Sequence, residues 1–268
     1  MIREAWHRHY TENGYLVVKN VLTQAEVAAL NEEGARICRD HGALLKPDGE
    51  VRFEDVLCLH FPHKLSAPMR DVMAHPGIAN ILTAIIGPNV KAMQSMMFVK
   101  NAGKPGQAWH QDEFYIPTRD CSLAGGWIAL DDATIENGCL WVLPGSHKPG
   151  VLYPMHPHNS DEFDGGGEAH GFPAQAPVPV EVKAGSVVFF NGYLLHRSLK
   201  NRSTGFRRAL VNHYMSAESL LPWNWDGRLG ATDDNRDIVM VAGADPYAYK
   251  GLADHTKPFL RRETPKPA

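Results

Sequence analysis

The chain has 268 residues, of which 44% are hydrophobic and 21% charged, and its formal net charge is −3. That length suits one domain of the barrel or sandwich type, which commonly runs ~200–250 residues, and it is enough to bury a sizeable core. The slightly acidic balance gives no basic field that would draw the protein toward nucleic acid, and no apolar run approaches the ~18 residues that a membrane helix needs.

The opening MIREAWHRHY carries no apolar stretch of the kind found in a signal peptide. Four cysteines, Cys38, Cys58, Cys121 and Cys139, stand far apart, without the Cys-X-X-Cys spacing of a zinc or redox motif. Reduced thiols in a cytoplasmic protein are the expectation.

Residues 3–13 read as a short helix ending at Gly14, and Tyr15-Leu16-Val17-Val18 as a brief strand. Thr23-Gln24-Ala25-Glu26 has the form of a capping box. Behind it Val27, Leu30, Ala35 and Cys38 recur at helical spacing as far as His41. A third helical segment is predicted over 67–73. A fourth follows Pro76, which favours a first helical turn; it carries Ile78, Ile81, Leu82, Ile85 and Ile86 and stops at Gly87-Pro88. These helices are read as packing material. Between them, residues 50–64 (EVRFEDVLCLHFPHK) combine charge, imidazole and strand-like apolar residues. A surface hairpin is one reading; the other puts His60, His63 and Lys64 at the mouth of a pocket.

From Val90 the texture turns to β. Alternating or apolar runs at 93–99, 125–131, 139–143, 178–183, 186–190 and 206–215 are split by Gly, Pro and Asn. Short strands spaced this way, with helices gathered before them, predict a mainly β fold with flanking α, a double-sheet jelly roll. The expected organisation is one domain over 1–268: a helical part at 1–90, a jelly-roll core at 91–216 and an extension at 217–268. Residues 155–177 are loop-like, with three consecutive glycines, and a loop this long in a compact domain is commonly functional; a lid is expected there. The tail after Ser219 holds Trp223 and Trp225 and then turns polar and proline-rich, so its end is expected to fray.

With 14 histidines in the chain, a lone His-X-Asp triplet arises by chance. Its context at His110-Gln111-Asp112 is more informative. Residues i and i+2 of a strand point to one side, so an imidazole and a carboxylate on one strand can reach one metal. A distant histidine would complete the two-histidine, one-carboxylate set whose open positions suit non-haem Fe(II) and O2. His196 stands near the end of a β-element, preceded by the apolar run Gly185 to Phe190. Arg207 and Arg208 follow at the start of the next strand, where only one can face inward. An arginine grips a carboxylate with a planar fork, as an oxo-acid co-substrate would require. His147 follows a turn and reads as a hydrogen-bonding residue, and His213 as a satisfied core histidine.

The segments WHQDEFYIPTR, GGWIALDDATIENGCLWVLPGSHK and HRSLKNRSTGFRRAL together resemble the phytanoyl-CoA dioxygenase (PhyH-like) family of Fe(II)/2-oxoglutarate-dependent oxygenases, over roughly residues 10–216. The resemblance implies a double-stranded β-helix (cupin-like) core, with His110, Asp112 and His196 as iron ligands. It implies Arg207 as partner of the distal carboxylate of 2-oxoglutarate, assisted by Ser198, with Trp127 and Gln94 lining the co-substrate site. The cofactor set would be Fe(II), 2-oxoglutarate and O2, and the activity hydroxylation of a C–H bond in a small-molecule substrate, with succinate and CO2 as co-products. Related halogenases lack the carboxylate ligand, so Asp112 favours hydroxylation over halogenation. His60, Lys64, Lys100, Phe114, Tyr115 and Trp223 are the candidate substrate-pocket residues. The competing readings are a cupin-like metal enzyme without an oxo acid, which leaves Arg207 without a task, and a non-catalytic scaffold of the same fold.

Overall fold

A computed structural model describes residues 1–46, 51–224 and 233–261. Its described helices are α1 (Ile2–Asn13), α2 (Gln24–Asp40), α3 (Gly42–Leu45), α4 (Ala67–Asp71) and α5 (Pro76–Ile85). Its strands are β1 (Tyr15–Val18), β2 (Cys58–His60), β3 (Val90–Lys100), β4 (Gln107–His110), β5 (Ala124–Ala129), β6 (Leu140–Val142), β7 (Met155–His156), β8 (Glu168–Ala169), β9 (Val178–Val180), β10 (Val187–Asn191), β11 (His196–Ser198), β12 (Arg207–Ser216), β13 (Val239–Ala242) and β14 (Phe259–Arg261).

Local chemistry sets the helix ends. Gly14 closes α1 at φ 79°, a left-handed conformation in which its N–H reaches the Tyr10 carbonyl. Thr23 caps α2 through a complete capping box with Glu26. Pro76 occupies the first turn of α5, where no helical N–H is lost.

The large sheet runs in the order β1-β10-β5-β12-β3-β2-β14, with β13 also on β3; a smaller sheet runs β4-β11-β6-β9. Alternation along the strands divides the core into two layers. On β10, Val187 and Phe189 pack with the helices, in the cluster that holds Leu30, Ile37, Ile78 and Leu82. Val188 and Phe190 face the other way and pack with Leu140, Val142 and Val180 of the smaller sheet. On β12, Leu210 joins the helix layer, while Ala209 and Val211 lie between the sheets. The result is a double-stranded β-helix with helices on the outside of its larger sheet.

Several sequence expectations need correction. The described residues 51–64 of the segment read as a surface hairpin do not form one: β2 is buried and pairs with β3 on one side and β14 on the other. The part at 1–90 is not only helical, because β1 and β2 belong to the large sheet, and the tail returns to that sheet through β13 and β14. Trp225 and the end of the tail lie outside the described residues. Within 155–177, β7 and β8 pair as a short ribbon, and Phe163 bridges to Gly106. None of the described helices is long and apolar enough to cross a membrane.

Candidate metal and co-substrate site

β4 and β11 are antiparallel neighbours in the smaller sheet, and His110 and His196 are direct partners across them. Residues opposite each other project to the same face, so the two imidazoles meet, with ring centroids 4.1 Å apart. The one-strand placement expected for His110 and Asp112 is not what occurs, since β4 ends at His110 and Asp112 opens a 3-10 turn over Asp112–Phe114. Gln111 between them remains extended, at φ −127° and ψ 128°, so the two side chains still share a side. The amide of Gln111 points the other way. It donates to the carbonyls of Val151 (2.9 Å) and Tyr193 (2.7 Å) and accepts from the N–H of Tyr153 (2.9 Å), which pins the bend.

Each histidine is oriented by its own strand. Nδ1 of His110 donates to the Ala108 carbonyl (2.7 Å), and Nδ1 of His196 donates to the Leu194 carbonyl (3.0 Å). A carbonyl only accepts, so both rings carry their proton on Nδ1 and leave Nε2 with a free lone pair. Both Nε2 atoms lie 3.6 Å from Oδ1 of Asp112. Donor atoms bound side by side to one ion at ~2.1 Å would be about 3 Å apart, so the three are placed to converge on a single cation. Within the described residues this trio is the one group of His, Cys, Asp and Glu with donor atoms all within 4.8 Å. The chemistry of the set, two neutral imidazoles and a carboxylate, fits Fe(II) with positions left over.

Protonation is consistent with ligation. Burial, followed by the neighbouring His196, pulls His110 down to about 4, so it is neutral at pH 7. Burial alone would raise Asp112, but the surrounding histidines and the hydrogen bond from His213 outweigh it and hold the carboxyl well below its ordinary value. His213 was read from sequence as a core histidine. It is buried on β12, and its Nε2 donates to Oδ2 of Asp112 at 2.9 Å, leaving Oδ1 to face the two imidazoles. The signal for it lay in the alternation of β12: Arg207, Ala209, Val211 and His213 share the inward face.

The trio lies on the wall of a cavity of about 390 Å³. At one end Arg207 is 2% exposed, its guanidinium 5.4 Å from the ring centre of Trp127, and burial brings its pKa down to about 10. No carboxylate among the described residues lies within ion-pair distance of it, and its Nε has no hydrogen-bond partner. A buried cation without a counter-ion is costly, so this end of the cavity is built for an anion. Arg208 turns outward, as strand alternation requires, and forms a two-pronged bond with Asp131 at 2.8 and 2.7 Å. Ser198, Gln94 and Trp127 all line the cavity.

The candidate substrate residues divide. His60, Lys100, Tyr115 and Trp223 line the cavity. His60 stacks on Phe259 with ring centres 4.2 Å apart, and burial lowers it to about 3. Lys100 lies at the Arg207 end rather than with the other three. Lys64 is excluded: it pairs with Asp237 and, at 2.9 Å, with Asp254, on partners that no local pattern could reveal. Its neighbour His63 is turned to the Ser95 hydroxyl at 2.6 Å and does not line the cavity. Phe114 is 47% exposed and lies outside the lining, because the 3-10 turn directs it to the surface. His147 hydrogen-bonds the Thr11 carbonyl at 3.1 Å, as expected of it. Sequence reading also missed Asp164 and Arg261, an ion pair at 3.0 Å on the cavity wall; it joins the 155–177 segment to β14.

Residues 10–209 match the phytanoyl-CoA dioxygenase (PhyH) family. The peroxisomal phytanoyl-CoA dioxygenase of Rattus norvegicus is 32% identical over 273 residues, covering 92% of this chain and 77% of the relative. The Homo sapiens counterpart is 31% identical over 235 residues, covering 79% and 68%. Among solved structures, the non-heme alpha ketoglutarate dependent carbocyclase SnoK from nogalamycin biosynthesis superposes with a TM-score of 0.70 at 25% identity, covering 89% of this chain and 96% of that one. The non-heme monooxygenase ThoJ in its apo form gives a TM-score of 0.72 at 22% identity over 96% and 88%, a likeness of fold.

Proposed function

This chain belongs to the phytanoyl-CoA dioxygenase (PhyH) family, and on that premise we propose that it is an Fe(II)/2-oxoglutarate-dependent dioxygenase that hydroxylates a C–H bond of a small-molecule metabolite. The observation that carries the reading is one cavity holding both halves of such a site. Three metal-type donors converge on its wall, and a buried arginine with no acidic partner among the described residues sits at one end. In this reading His110, Asp112 and His196 hold the iron. Arg207 and Ser198 take the distal carboxylate of 2-oxoglutarate, flanked by Trp127 and Gln94. Residues 1–268 act as a single oxygenase domain, and a cytoplasmic location belongs to the same proposal.

The bound iron, with 2-oxoglutarate and O2, supplies the oxidising chemistry, and succinate and CO2 are the co-products. The contribution of the chain itself is placement. His213 fixes the Asp112 carboxylate, the Ala108 and Leu194 carbonyls fix the imidazoles, and the cation of Arg207 is already desolvated before an anion arrives. Leu57, Met96, Ile116 and Trp223 add apolar surface to a lining that also carries His60 and the Asp164–Arg261 ion pair. A volume of about 390 Å³, shared with the co-substrate, favours a compact substrate or the compact end of a larger one.

The test is a screen of metabolites for those that stimulate conversion of 2-oxoglutarate to succinate by the Fe(II)-loaded protein. A slow basal conversion and a hydroxylated product from at least one stimulating compound are expected. No 2-oxoglutarate binding and no succinate would favour a metal enzyme that uses no oxo acid.

A further inference from the structure

Lys100 and Arg207 are direct partners across β3 and β12, and both are almost completely buried, at 3% and 2% exposure. Like charges placed directly opposite in an antiparallel pair repel, and burial strengthens the repulsion. Lys100 is among the candidate substrate-pocket residues of the sequence. Its Nζ is directed elsewhere: it donates to Oγ of Ser198 at 3.0 Å and to the Leu199 carbonyl at 2.6 Å.

The bond to Ser198 has a consequence for the serine. A hydroxyl has two lone pairs and one proton. Oγ of Ser198 accepts from Lys100 Nζ and also from the N–H of Gln107, at 3.3 Å. With both lone pairs engaged, the hydroxyl acts only as a donor, and the cavity it lines is where an acceptor can stand. The hydrogen bonds hold whether the amine is charged or neutral, since a neutral amine still offers two N–H donors. Burial, then the facing Arg207, holds the Lys100 pKa well below its ordinary value in the absence of an anion.

We propose that Lys100 is a positioning residue for the carboxylate co-substrate: it locks the Ser198 hydroxyl as a donor into the cavity and, with Arg207, makes that end selective for an oxo acid bearing a second carboxylate. The inference rests on the 2-oxoglutarate reading above and adds a residue to it. Lys100 acts through Ser198, so its effect depends on Ser198 being present.

The test is a double-mutant cycle read by anaerobic calorimetry of 2-oxoglutarate binding to the Fe(II)-loaded full chain, with the thermal midpoint of each variant as a folding check. Lys100→Met is expected to weaken 2-oxoglutarate binding at least tenfold. In the Ser198→Ala background the same change should cost less than about threefold, the non-additivity of groups acting in series. Binding of pyruvate, which lacks the second carboxylate, should change less than about twofold. Should Lys100→Met not fold, Lys100→Ala, which likewise removes the donor, carries the same comparison, and Lys100→Gln, which retains an N–H donor, should recover part of the binding. Equal losses in both backgrounds, or 2-oxoglutarate binding within twofold of wild type, overturn the inference. Wild-type protein that binds no 2-oxoglutarate removes the functional reading and this inference together, whereas normal wild-type binding that is lost with Arg207→Met and untouched by Lys100→Met removes this inference alone.

Discussion

Nε2 of His213 lies 2.9 Å from Oδ2 of Asp112, and both side chains are buried. The bond joins β12 of the large sheet to the turn that follows β4 of the small one, so the carboxylate is oriented by one sheet while the imidazoles are oriented by the other. Partners of this kind typically contribute about 10–100-fold to metal affinity. His213→Leu is expected to weaken Fe(II) binding by about tenfold or more, and His213→Gln, which keeps a donor, to recover part of the loss. Metal titration of the two variants at pH 7 makes the check; equal and unchanged affinities would show the bond to be incidental.

The adjacent arginines should separate cleanly. Arg208 holds Asp131 on a partly exposed rim, so Arg208→Ala is expected to cost about 0.5–1 kcal/mol of stability and to leave the 2-oxoglutarate requirement unchanged. Arg207→Ala should raise that requirement at least tenfold. Urea denaturation and co-substrate titration of both variants measure the two effects; the reverse pattern would mean that the inward-facing arginine has been misassigned.

How much of this was legible in the residues depends on the range of the interaction. The α2 helix was readable because its capping box and apolar spacing lie within a few residues of each other. Period-two alternation gave the strands of the jelly roll and showed that only one of Arg207 and Arg208 could face inward. The same period, carried six residues further, would have placed His213 on the same inward face as Arg207. By contrast, the neighbours of β2 are β3 and the distant β14, and the acids that occupy Lys64 lie in the tail at Asp237 and Asp254. No local pattern specifies such pairings, which is why β2 looked like a surface hairpin and Lys64 like a pocket residue.

Gly106 is a close-approach site. A Cβ there would stand 1.7 Å from the Ser198 carbonyl oxygen and 2.8 Å from the Leu199 carbonyl carbon. Both are backbone atoms, so the strands must separate to admit it. Gly106→Ala is expected to cost about 1–3 kcal/mol and to weaken 2-oxoglutarate binding, because Ser198 and Leu199 are the groups that Lys100 holds. Chemical denaturation and calorimetry test the pair of effects; an alanine variant of wild-type stability would contradict the packing described.

Acid should destabilise the metal-free protein. Burial lowers His60 to about 3, and His63 and His110 to about 4, from an ordinary 6.5. Between about pH 6.5 and 4 the unfolded chain therefore binds protons that the folded chain refuses, so stability falls as pH falls through that window. Glu113, which burial pushes up to about 7, acts in the opposite sense between that pH and its ordinary 4.5. One carboxyl opposes three imidazoles, and the net direction is loss. The urea midpoint at pH 5 should lie below that at pH 7.5; a flat or rising profile would show that these histidines are hydrated.

The convergence of His110, Asp112 and His196 on one ion is tested most directly by anaerobic calorimetric titration of the metal-free protein with Fe(II), beside His196→Ala. The account predicts one equivalent of tightly bound iron in the wild type and loss of that binding in the variant, with the variant still folded. Retained stoichiometric binding by His196→Ala would contradict it.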